Sequence, residues 1–252
     1  MNPFIRIVGG VLLTLAIVPA TGWSDEPVAT TLGDPSPAPA AVASATVIPP
    51  FVPALDVAVV SRYVFQGIDY SDGRSSVQPN FSLTHGILVG NVWANYQPNL
   101  GDVNEVDLSL KLTHSAGPLS VAPGVMALRY PNRDWSSSME TFVDLGLQAP
   151  GNPTLSVHYD FRAGDGLYAT LGLAHTLPAP FTLGANLFYQ RRYYGMTGVP
   201  AVELKAGTTL PFGSFMLTPS LSRFVTTANG TFRDEARIPS GWLIAVDVAP
   251  KE

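Results

Sequence analysis

Leu55-Asp56-Val57-Ala58-Val59-Val60-Ser61-Arg62-Tyr63-Val64-Phe65-Gln66 sets Leu55, Val57, Val59, Ser61, Tyr63 and Phe65 on one side of the chain and Asp56, Ala58, Val60, Arg62, Val64 and Gln66 on the other. A two-residue period is that of a β-strand with one apolar and one mixed face. The stretch ends at Gly67 and runs into a polar loop. Eleven more alternating runs of similar length follow. If they close a sheet, the last must pair with this one, which makes 55–66 the seam of a barrel.

The runs fall at roughly 54–66, 77–84, 87–96, 104–115, 119–130, 138–149, 153–161, 166–177, 180–191, 200–210, 213–225 and 240–249. In the fourth, Val106, Leu108, Leu110 and Leu112 interleave with Glu105, Asp107, Ser109 and Lys111. No window of comparable length carries a 3.6-residue apolar stripe, so the body of the chain reads as all-β. Tight connections at His85-Gly86, 116–118, 150–153, 178–180 and 211–213 alternate with longer, more polar ones at 67–76, 97–103, 131–137, 162–165, 192–199 and 226–239. That asymmetry is expected of a closed antiparallel up-and-down transmembrane β-barrel with short periplasmic turns and larger external loops. Runs of this length match the roughly 9–11 residues that a tilted membrane-spanning strand needs. Tyr63, Phe65, Tyr96, Tyr130, Trp135, Phe181, Tyr189, Tyr193, Tyr194 and Trp242 fall near strand ends, where an aromatic belt at the membrane interface is expected.

Composition agrees. Charged residues make up 13% of the 252-residue chain, against about 25% in ordinary soluble domains. A β-sandwich would need a charged outer face, so the polar parity is expected to line a lumen and the apolar parity to meet outer-membrane lipid. The net charge of -5 excludes the basic footprint of a nucleic-acid binder. With no cysteine, disulfide scaffolds and thiolate metal sites are excluded.

Residues 1–22 have the layout of a secretory signal peptide: Arg6, an apolar stretch from Ile7 to Val18, then small residues. Residues 23–53 are rich in Pro, Ala, Ser and Thr without periodicity and read as a disordered linker. The barrel is expected over 54–252, in the bacterial outer membrane, inserted there by the outer-membrane assembly machinery. The polar tail after Gly241-Trp242 lacks the terminal aromatic residue on which such barrels commonly finish.

Ser61-Arg62-Tyr63-Val64-Phe65-Gln66-Gly67-Ile68-Asp69-Tyr70-Ser71 resembles the Ser/Thr-x-Tyr-x-Phe-Arg-Gly-x-x-x-Ser motif with which TorF-type porins, a group of exported bacterial proteins, tend to begin their barrels. Gln78-Pro79, Gly90-x-x-Trp93-Ala94-Asn95, Asn104-Glu105-Val106-Asp107, Tyr130-Pro131 and Glu140 extend the likeness through the first half of the barrel. The resemblance implies an outer-membrane barrel and a porin. The family's arginine after Phe is Gln66 here, with Arg62 nearby, so no role carries over to that position.

The polar parity puts Asp56, Arg62, Glu105, Asp107, Lys111, Glu140, Asp144, His158, Asp160, Arg162, Glu203, Lys205 and Asp247 in the lumen as selectivity candidates. Eight acids against four bases would favour cations in a water-connected lumen. The alternative is a lumen packed shut by acid–base pairs. His158 shares a face with Ser156 and Asp160, but same-face neighbours are common in strands, and no phosphate loop, dinucleotide fingerprint or zincin motif is present. No catalytic residue, metal or cofactor is expected. The expected function is passive diffusion of small polar solutes or ions, with a cation preference set by the lumenal carboxylates. The runner-up is a closed structural or adhesion barrel whose long loops, above all 67–76 and 226–239, bind a partner.

Overall fold

A computed structural model describes residues 49–178, 180–233 and 236–251. The expected signal peptide and most of the linker lie outside the described residues. The strands are β1 (Phe51–Val60), β2 (Val64–Phe65), β3 (Ile68–Asp69), β4 (Ser76–His85), β5 (Leu88–Gln97), β6 (Asp102–Leu112), β7 (His114–Ala116), β8 (Leu119–Arg129), β9 (Ser138–Leu147), β10 (Thr154–Asp160), β11 (Gly166–Thr176), β12 (Phe181–Tyr193), β13 (Met196–Thr208), β14 (Leu210–Phe212), β15 (Phe215–Thr231) and β16 (Gly241–Pro250). β7 continues β6 and β14 continues β13, each after one unpaired residue. Apart from the β2–β3 ribbon, the elements form a closed antiparallel ring of twelve strands.

Every strand pairs with its sequence neighbours, and the ring closes where β1 meets β16, with Val57 opposite Val248 and Val60 opposite Ala245. A closed ring leaves no unpaired strand edge. The two faces have opposite chemistry. Leu55, Phe81, Leu110, Leu171, Leu204 and Ile244 point outward and remain largely exposed, whereas Asp56, Glu105, Glu140, Asp144, Asp160, Glu203 and Asp247 are buried inside. Water-soluble proteins bury apolar side chains and expose charged ones; this barrel does the reverse.

Three sequence expectations need correction. β1 begins at Phe51, inside the expected linker, and stops at Val60, where Ser61 N–H donates to the Ile244 carbonyl at 2.8 Å. From there the chain leaves the wall, so the first strand does not extend to Gln66. The connection expected as long at 192–199 is a two-residue turn, Tyr194-Gly195, because β12 and β13 run on to Tyr193 and Met196. Positive φ at Tyr194 and Gly195 fits such a turn. The belt is also only partly outward. Phe181, Tyr189 and Trp242 face out, whereas Tyr63, Phe65 and Tyr193 are buried within the barrel.

The inner wall of β8–β11 is closely fitted. Phe142 and Tyr168 flank His158, with ring centroids at 4.8 and 4.6 Å and nearly parallel planes. Phe142 also covers Gly124 on β8, where a Cβ would strike the ring and lie 2.7 Å from the Leu110 carbonyl oxygen. Overfilling such a wall costs about 1–3 kcal/mol. Gly124→Val is therefore expected to lower unfolding stability by about that amount, measured by denaturant titration of the folded barrel, whereas Val125→Ile, on the outward face, leaves the midpoint essentially unchanged.

Candidate functional site in the barrel lumen

After Ser61 the chain turns into the lumen and forms a miniature hairpin. β2 and β3 pair with Phe65 opposite Ile68, leaving Gln66-Gly67 as a two-residue turn with φ of 49° and 73°. Both central residues of a type I′ turn need positive φ, which glycine adopts without steric cost. Gly67 is also pressed against the far wall: a Cβ there would lie 2.8 Å from Pro200 Cγ and 3.1 Å from Phe188 Cδ2. The turn meets β13 at an irregularity between Val199 and Ala201, a place where proline is tolerated because the ladder is interrupted.

The base of the hairpin is tied by its own side chains. The Asp69 carboxylate accepts from Ser71 N–H at 2.9 Å, from Ser71 Oγ at 2.9 Å and from Gly73 N–H at 3.0 Å. Ser71 Oγ in turn accepts from Tyr63 N–H at 2.8 Å. Arg62 sits 3.8 Å from Asp69 and is partly exposed. At the tip, Thr170 Oγ1 donates to Gln66 Oε1 and Gln190 Nε2 donates to the Gln66 carbonyl, each at 3.0 Å. Val64 joins the buried cluster of Val60, Phe188, Phe224 and Leu243, while Tyr63 and Phe65 pack with Tyr168 and Tyr193. The segment expected as the external loop 67–76 is thus largely an inward plug. It crosses from β1 to β11, five strand positions around the ring.

The candidate lumenal residues divide as follows. Asp56 accepts from Asn80 Nδ2 at 2.9 Å. Glu105 and Asp107 lie on β6, with the Tyr63 hydroxyl donating to Glu105. Lys111 Nζ is 3.7 Å from Asp144, whose other oxygen accepts from Ser156 Oγ at 2.7 Å. His158 bridges Ser156 at 3.1 Å through Nε2 and Glu140 at 2.9 Å through Nδ1. Tyr168 donates to the same Glu140 oxygen at 2.6 Å. Glu203 accepts from Asn186 at 2.8 Å, and Lys205 and Asp247 lie on β13 and β16. Asp160 belongs to a different group from His158, accepting from Ser138 Oγ and from Arg162 N–H. Arg62 and Arg162 are not on the wall: one lies in the bend after β1, the other is exposed in the 161–165 connection. They leave the inward parity because their strands end at Val60 and Asp160.

Glu140 is 0% and His158 1% exposed, so water does not reach the middle of the wall. Not every lumenal oxygen is satisfied. Asp56 Oδ2, Asp107 Oδ1, Glu140 Oε1 and Asp160 Oδ2 have no hydrogen-bond partner among the described residues. Ser138, Tyr168 and Gln190, and the hairpin residues Gln66, Asp69 and Ser71, were not evident as functional positions. The Gln-Gly dipeptide between alternating residues and the Asp-x-Ser spacing are the signals that mark a hairpin and an Asx turn.

Above the hairpin, at the end of the barrel where the longer connections lie, is a cavity of about 560 Å³ lined by Tyr63, Tyr70, Tyr130, Trp135, Tyr193 and Tyr194 among others. Burial, reinforced by Glu105, raises the Tyr70 phenol above its ordinary range, and burial with Asp160 nearby pushes Tyr194 up to about 12. Both stay neutral at physiological pH.

Removing one partner of a buried ion-paired network costs about 3–5 kcal/mol. Glu140→Ala, which strands both His158 and Tyr168, is expected to lose about that much unfolding free energy. Glu140→Gln, which keeps the shape and an acceptor, should lose clearly less. Equal losses in denaturant titrations would show that the hydrogen bonds to Glu140 contribute little.

Residues 44–207 match the model of a bacterial protein family of unknown function, Gcw_chp. No curated protein sequence matches. Among solved structures, the NanC porin in a rhombohedral crystal form is similar with a TM-score of 0.52 and 13% identity, covering 79% of this chain and 100% of that one. At that identity the likeness concerns the fold alone: a porin-like barrel. The family match spans more than half of the sequence and most of the closed ring, so this chain belongs to the bacterial Gcw_chp family.

Proposed function

We propose that this chain is an outer-membrane, porin-like channel for small polar solutes and ions, cation-preferring, and shut by the Val64–Asp69 hairpin, which must swing out of the lumen for current to flow. The observation that carries the reading is the set of buried lumenal carboxylates, each with an oxygen for which no donor is found among the described residues: Asp56, Asp107, Glu140 and Asp160. Ionised carboxylates in a low-dielectric channel raise the local concentration of cations. With Arg62 and Arg162 off the wall, the eight candidate acids outnumber the candidate bases Lys111, Lys205 and His158. The outward apolar belt supports a bilayer setting, and the likeness to a porin barrel points the same way.

A second reading is favoured by one observation. The wall residues around the hairpin are closed to water, as a structural barrel without transport would be. Its adhesive form loses support at 67–71, which folds inward, and of the expected loop 226–239 the first part, to Thr231, belongs to β15.

The chain has no native cysteine, so a disulfide lock can be introduced cleanly. In planar bilayers, Gln66→Cys with Thr170→Cys should be silent when oxidised and conduct when reduced, and replacement of 64–69 by a short Gly-Ser link should conduct throughout. Asp56→Asn with Asp107→Asn should move the reversal potential in a salt gradient toward zero. Absence of current from reduced, lock-bearing and hairpin-less proteins that are correctly folded would leave the structural reading.

A further inference from the structure

The cavity above the hairpin shares Glu105 with the lumenal wall but otherwise has a chemistry of its own. Its lining combines the six phenol and indole rings with Phe65, and includes Asp69, Asp72, Glu105 and Asp134 against Arg233 and Arg237, an excess of two acids. The rings do not form a flat platform. Tyr70 meets Trp135 at 72°, Trp135 meets Tyr130 at 74°, and Tyr193 meets Tyr194 at 78°. The lining rings are thus steeply inclined to one another, which suits a compact rounded group better than the flat face of a sugar ring. Both arginines are engaged within the lining: Arg237 Nε is 2.8 Å from Asp72, and the Arg233 guanidinium lies over the Tyr194 ring at 5.7 Å.

The walls are held in place. Arg133 pins the 130–137 connection to Asp102 at 2.9 Å and to Gln97 at 3.0 Å, and Asp69 N–H donates to the Arg237 carbonyl at 2.8 Å. A ligand would thus meet a preformed site rather than order one. The volume is within the roughly 300–1,000 Å³ of small-molecule sites.

We propose that this cavity binds a small organic cation, an alkylated ammonium group seated among the ring faces with the Glu105 carboxylate beneath it. Aromatic faces attract such cations through the ring quadrupole, most strongly when the site excludes water. The site rests on the cation-preferring reading above and gives it a substrate class, yet it is tested by equilibrium binding, which needs no current.

The test is calorimetry and tryptophan fluorescence on the full chain folded in detergent micelles, with choline and tetramethylammonium as probes. Choline is expected to bind saturably and at least tenfold more tightly than 3,3-dimethylbutan-1-ol, its uncharged isostere. Glu105→Gln should weaken it about tenfold. Because Glu105 also holds Tyr63, Tyr70→Leu with Trp135→Leu, both in the connecting loops, provides a second variant expected to lose at least as much. Equal binding of the neutral isostere, displacement of choline by glucose, or no saturable binding up to about 50 mM would overturn the proposal. Choline binding without conductance would overturn the channel reading and leave the site.

Discussion

Closure of β1 on β16 is the constraint from which the rest follows. Within a bilayer every backbone donor and acceptor must be satisfied inside the protein, and a strand-built structure manages this only as a closed ring. Closing the ring assigns alternate side chains to the outer face and to the lumen. The outward set becomes Leu55, Phe81, Leu110 and Ile244, and the inward set becomes Asp56, Glu105, Glu140 and Glu203. Buried charges then have to find partners or donors, and the Lys111–Asp144–Ser156–His158–Glu140–Tyr168 network is that requirement met along one wall.

Twelve strands enclose more space than wall side chains fill, since about eight strands is the size at which they suffice. The remaining volume is occupied by chain from the first connection. Gly67 at the turn, Asp69 and Ser71 at the base, and Tyr63 and Phe65 against Tyr168 explain why a polar loop folds inward: its backbone is satisfied by its own side chains and by Gln190, and its rings bury apolar area. The same segment lines the aromatic cavity with Tyr63, Phe65 and Tyr70.

Much of the fold was legible in the sequence. The two-residue period over twelve runs, the tight turns and the scarcity of charge give strand number, closure and face assignment, because each is a local property multiplied by topology. The inward hairpin was not legible by periodicity, since Tyr63, Phe65 and Val64 continue the alternation of Leu55 to Val60 after the chain has left the wall. Period reports pairing, not which strand supplies the partner. Tyr63, Phe65 and Tyr193 read as interface aromatics for a related reason: nearness to a strand end does not tell lipid side from lumen side. The carboxylates on the strands were legible by parity, whereas Arg62 and Arg162 fell just beyond strand ends, where parity no longer holds.

The plugged lumen and the aromatic cavity both depend on Tyr63–Ser71 lying inside the ring. Single cysteines placed at Ile68 and at Ser75 in the full chain, exposed in folded protein to a bulky, membrane-impermeant maleimide, test it directly. Ser75→Cys, in the exposed part of the connection, should label rapidly, and Ile68→Cys, buried in the hairpin, should label only after unfolding. Equal labelling of both positions in the folded barrel would contradict the account.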